Sequence, residues 1–126
     1  MRVDFEIPGR PAPKGSRATG RRKDGRVFSY EQNKRVAPWM AMATDILTGE
    51  PELQPPYKLH AVFVYERPKK PKYEFPPSGD LDKILRSLCD ALTKSQVIAD
   101  DRFIIEIEAK KFYGPKETTR GWVEEL

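Results

Sequence analysis

Gly79-Asp80-Leu81-Asp82-Lys83-Ile84-Leu85-Arg86-Ser87-Leu88-Cys89-Asp90-Ala91-Leu92 is the stretch on which the reading of this chain turns. It opens with two carboxylates one residue apart and continues with Leu81, Ile84, Leu85, Leu88 and Leu92 at the i, i+3, i+4, i+7 spacing of an amphipathic helix. Such a stripe must bury against something, and the flanking segments supply it. Upstream, Tyr57 to Glu66 reads as a strand with Leu59, Ala61, Phe63 and Tyr65 on one face and Val62 and Val64 on the other, which predicts a central position in a sheet. Downstream, Phe103, Ile105, Ile107 and Ala109 alternate with Ile104, Glu106, Glu108 and Lys110, a strand running to Tyr113.

Further out, Val3, Phe5 and Ile7 alternate with Arg2, Asp4 and Glu6, the period of a strand with one wet face. Arg26 to Tyr30 reads as a short strand. Val36, Trp39, Met40, Ala43 and Leu47 keep helical spacing up to a stop at Gly49, and Pro38 puts the helix start near Ala37 or a kink there. Trp39, Met40 and Met42 are assigned to the core. Glu50 to Pro56 is a proline-rich connector, and Gly114-Pro115-Lys116 turns the chain into Gly121 to Glu124, read as an edge strand. The order β, loop, β, α, β, α, β, β predicts an α+β fold: one domain over residues 1–126, a mixed β-sheet with two helices packed on it.

At 126 residues the chain is long enough for one core and too short for two. Its net charge of +4 is unevenly spread: Arg10 to Arg35 holds nine Lys and Arg against two acids, and Arg67 to Lys72 holds four against none. The Pro- and Gly-rich stretch 8–25 has almost nothing to bury and reads as a long basic loop. Lys14, Arg17, Arg21, Arg22 and Lys23 there, with Arg67, Lys69, Lys70 and Lys72 beside Tyr73 and Phe75, are the candidate contacts to a polyanion, first of all nucleic acid. A solvated arm and a solvated turn account equally well for these segments taken alone. The lone Cys89 excludes a disulfide framework and points to a reducing compartment. No apolar run could span a bilayer, and the first residues do not form a signal peptide, so an intracellular protein with no membrane partner is expected. With His60 the only histidine, a His-based metal site is excluded.

A helix start welcomes one aspartate as a cap, but Asp80 and Asp82, with Asp100 and Asp101 just past the helix, exceed that need. Asp80 and Asp82 stay at one helix end. If Asp101 belongs to the following strand, period two puts it on the face of Phe103 and Ile105, so it approaches that end while Asp100 points away. Three converging carboxylates without His or Cys make a hard, all-oxygen site suited to Mg²⁺ or Mn²⁺. Lys83 and Arg86 are the local cations that could steady phosphate charge; ordinary surface pairs Asp82–Arg86 or Arg86–Asp90 are the plainer account, worth about 0.3–0.5 kcal/mol.

With these residues in view, the chain resembles the RusA family of Holliday-junction resolvases, small dimeric endonucleases of phages, prophages and some bacteria. The resemblance lies in Asp80-Leu81-Asp82-Lys83 opening the helix, Asp90-Ala91-Leu92 near its end, Asp100-Asp101 beyond it, and the Pro8 to Gly15 opening followed by Arg26-Val27-Phe28. It implies a RusA-like fold and a Mg²⁺-dependent homodimer that resolves four-way DNA junctions by paired nicks in the cytoplasm of a bacterial or phage-infected cell. It also implies Asp80, Asp82 and Asp101 as metal ligands. Where the family pattern has Asn and then a functional Lys, this chain has Lys83 and then Arg86; an arginine stabilises charge but does not give up a proton near neutral pH, so either cation could be the one assisting catalysis. Two other functions fit the same features: a non-catalytic DNA-binding or architectural protein, and a metal nuclease acting on other branched DNA.

Overall fold

A computed structural model describes residues 1–15, 17–31 and 34–126, the side chains of 17–19 and 28–31 excepted. In chain order the elements are β1 (Arg2–Pro8), β2 (Arg17–Arg21), β3 (Val27–Glu31), α1 (Val36–Leu47), β4 (Tyr57–Glu66), α2 (Leu81–Lys94), a single 3-10 turn (Asp101–Phe103), β5 (Ile104–Gly114) and β6 (Thr118–Glu125). A four-stranded sheet runs β1-β6-β4-β5, and β2 pairs with β3 as a separate hairpin. β6 is antiparallel to both β1 and β4, whereas β4 and β5 are parallel. The sheet is therefore mixed, and with two helices packed on it the chain is α+β as its sequence predicts.

Parallel neighbours need a crossover, and α2 provides it. Tyr57, Leu59, Ala61, Phe63 and Tyr65 of β4 are all buried and join a single core with Val3, Phe5 and Ile7 of β1, Trp39, Ala43 and Leu47 of α1, and Ile84, Leu88 and Leu92 of α2. Both helices thus cover the face of the sheet that the odd-numbered β4 residues line. On the opposite face, His60 stacks on Trp122 with ring centroids 4.0 Å apart, a packing role for the only histidine. Gly121 of β6 has no room for a side chain against β4: a Cβ there would collide with the backbone carbonyl of His60.

Several expectations change. The C-terminal strand is longer than Gly121 to Glu124 and lies inside the sheet between β1 and β4, because its alternation lets Val123 enter the core while both backbone edges find partners. Stretch 8–25 is not one loop. Its first part docks on α2, and its last part becomes β2, whose polar residues are held by pairing with β3 across the tight turn from Arg22 to Arg26. Pro38 is accommodated in the first turn of α1, where no intrahelical N–H is lost. Met42 is exposed rather than core, since only Trp39 and Met40 fall on the covered side. Ile105 and Ile107 are 68% and 49% exposed: β5 is the rim strand, and of its apolar residues Ile104, Ala109 and Tyr113 are the ones that pack against the core.

Candidate active site on helix α2

Gly79 sets the direction of α2. Its φ of +74° disfavours side chains, and a Cβ there would strike the Tyr65 hydroxyl. That turn leaves Asp80 as the N-cap residue. Its backbone carbonyl accepts from the Lys83 and Ile84 amides, but its side chain makes no capping hydrogen bond. The carboxylate instead faces Lys83, whose Nζ is 3.6 Å away. Asp82 follows in the first turn, exposed. Neither Asp82 nor Arg86 has an ion-pair partner among the described residues, so the plain surface pairs Asp82–Arg86 and Arg86–Asp90 do not form.

Asp90 is held by Lys14, with Nζ 2.7 Å from Oδ2. Two further contacts lay the chain around Lys14 along α2: its amide donates to the Lys83 carbonyl at 3.1 Å, and the buried Ser87 hydroxyl donates to the Ala12 carbonyl at 2.8 Å. The buried Tyr65 hydroxyl donates to the Pro11 carbonyl at 3.4 Å. The start of the basic stretch is therefore a docked strap, and Lys14 is engaged with an acid of the helix rather than reaching outward.

Asp101 is an exposed residue that opens the 3-10 turn, before β5 begins. The argument from strand parity therefore does not apply to it. Asp100 caps this turn, accepting from the Arg102 amide at 2.9 Å. The Asp101 carboxyl is raised above its ordinary range, first by partial burial, then by a hydrogen bond and charge repulsion from Asp100, then by Asp90. The Cys89 thiol is pushed up to about 12 by burial, with Asp101 and Asp90 contributing, so it is an inert core thiol. Asp90, Asp100 and Asp101 thus share one electrostatic neighbourhood beside Cys89, on the later part of α2, while Asp80 and Asp82 stand at its start. Among the described residues no three His, Cys, Asp or Glu side chains converge into a metal-sized group.

The other basic candidates lie at the periphery. Arg21, Arg22 and Lys23 are exposed at the tip of the β2–β3 hairpin, while the side chain of Arg17 lies outside the described residues. Arg67, Lys69, Lys70 and Lys72 are exposed, with Arg67 3.6 Å from Glu74 and Tyr73 stacked on Phe75 at 5.2 Å. One cation escaped the sequence reading. Lys111 of β5 reaches under the start of α2, its Nζ donating to the carbonyls of Ser78 at 3.3 Å and Gly79 at 3.0 Å. The alternation that put Ala109 on the helix side would have put Lys111 there too.

As a donor set the aspartates suit a hard divalent ion; the Asp101 carboxyl is raised first by burial, and the neighbouring Asp100 and Asp90 charges that add to it are ones a cation would offset. A cage of three carboxylates is not preformed, but Mg²⁺ is commonly held by one or two carboxylates, waters and substrate phosphates.

No match was found among curated proteins. The family model described as Endodeoxyribonuclease RusA matches residues 8–120, a span that takes in the docked strap, the acidic start of α2 and the Asp100-Asp101 pair together. The chain therefore belongs to the RusA family of endodeoxyribonucleases.

Proposed function

We propose that this protein is a divalent-metal-dependent endonuclease that resolves four-way DNA junctions by paired nicks as a homodimer. RusA membership carries endonuclease action on Holliday junctions, and the extent of the match over residues 8–120 supports the rest, because all the candidate residues fall inside it. In this reading Asp80, Asp82 and Asp101 would supply the carboxylates for Mg²⁺, for which Mn²⁺ could substitute, the first two from the start of α2 and the third from beyond its end. The bound ion would supply an activated water and neutralise charge on the scissile phosphate. Within the chain, Lys83 holds the Asp80 carboxylate in place, at 3.6 Å. Arg86, exposed one turn beyond Asp82, is placed to meet phosphate charge as a permanent cation. Arg21, Arg22, Lys23, Arg67, Lys69, Lys70 and Lys72 bind backbone phosphates outside the site, so affinity falls steeply with salt. Two equivalent sites related by a two-fold axis suit a substrate with near two-fold symmetry.

The test is cleavage of a labelled four-way junction beside a linear duplex of the same sequence, with Mg²⁺ or with EDTA. Paired nicks in the junction, lost in EDTA, are expected. Equal cutting of the duplex would remove the junction assignment, and cutting that persists in EDTA would remove the metal.

A further inference from the structure

The two edges of the sheet are not alike. β1 buries Val3, Phe5 and Ile7, shows only Arg2, Asp4, Glu6 and Pro8 to solvent, and ends at a proline. β5 is longer, Ile104–Gly114, and among the described residues no strand pairs with its outer side. Its register with β4 is irregular only between Tyr57 and Lys58; from Lys58↔Glu106 to Glu66↔Gly114 it is continuous. Ile107 stands beside the fully buried Leu59 yet is 49% exposed, so the apolar face of the sheet runs past its cover to the rim. A long, regular edge with exposed β-branched residues is a template for another strand.

We infer that a second copy of this chain occupies this edge, its β5 pairing antiparallel to the first. The charge order along the strand argues for that occupant: Glu106 and Glu108 precede Lys110 and Lys111. A parallel partner copy would set like charges side by side. An antiparallel one centred on the small Ala109 sets Glu108 opposite Lys110 of the second copy, twice, and Ile107 against the aliphatic stem of Lys111 of the second copy. The arrangement is isologous, and it continues the sheet through the two-fold axis into eight strands.

The assignment rests on the homodimer in the function proposed above, and its test separates the two. Mass in solution is measured by sedimentation for the full chain and four variants, each checked for fold by circular dichroism. The wild type is expected to be a dimer, Ile107→Glu to raise its Kd at least about tenfold, Glu108→Lys to weaken it, and Glu108→Lys combined with Lys110→Glu to restore it. Met42→Glu, on the exposed side of α1, is the control that leaves the dimer unchanged. A wild type that is monomeric overturns both the edge assignment and the dimer. A wild-type dimer indifferent to Ile107→Glu, or a double variant no better than Glu108→Lys alone, overturns the edge assignment and leaves the dimer standing.

Discussion

The two faces of α2 have opposite fates. One face is sealed: Ile84, Leu88, Ala91 and Leu92 are buried in the shared core, and Ser87 is buried against the strap. The other carries Asp82 and Arg86 into solvent with no partner among the described residues, and Asp90 half-covered by Lys14. The packed face over-determines where the helix sits, and this leaves the polar face available for chemistry. A carboxylate whose only role was helix capping would be consumed by the backbone, and Asp80 is not.

The comparison breaks if damage to the packed face fails to unfold the protein or damage to the polar face does. The largest effect is expected for Leu88→Ala, which empties a fully buried position and should cost roughly 2–5 kcal/mol, read from urea unfolding. Asp82→Asn should leave the unfolding midpoint near wild type and reduce junction nicking roughly a hundredfold or more, a transition-state loss of about 2.7 kcal/mol, read in single-turnover assays. Nicking retained by that variant would return Asp82 to the surface. Ser87→Ala removes the hydroxyl that holds the Ala12 carbonyl and should cost about 1–2 kcal/mol, with faster proteolysis of the strap as the accompanying sign.

The smallest effect is on pH. Because folding raises the Asp101 carboxyl, the folded state binds more protons than the unfolded one, so this group makes stability fall as pH rises from its ordinary value through its raised one. Asp100→Asn removes the neighbouring charge and should bring Asp101 down towards the ordinary carboxylate range, seen by carboxyl ¹³C titration without metal. An unmoved Asp101 would leave burial and the Asp90 charge as the causes.

The edges of the sheet repeat the lesson at another scale. β1 and β5 both alternate in sequence, yet one hides its apolar residues and the other shows them. Period two tells which residues share a face and says nothing of whether a helix lies over that face. This is why Ile107, which its spacing puts on the apolar face of β5, is nevertheless half exposed.

Sequence alone determined the amphipathic helix with its acidic start, the strands on either side and the α+β class, since each follows from local periodicity. Only the tertiary structure decided that the last strand lies inside the sheet, that Lys14 and Ser87 tie the N-terminal strap to α2, and that Lys111 reaches the turn before Asp80. These contacts join residues far apart in the chain, and their pairing depends on how whole elements pack. Asp101 shows the boundary most clearly. Its place as a candidate came from the spacing of Asp100-Asp101 beyond the helix, but its surroundings did not: a 3-10 turn stands where a strand was expected, and its charged neighbours are Asp100 and Asp90.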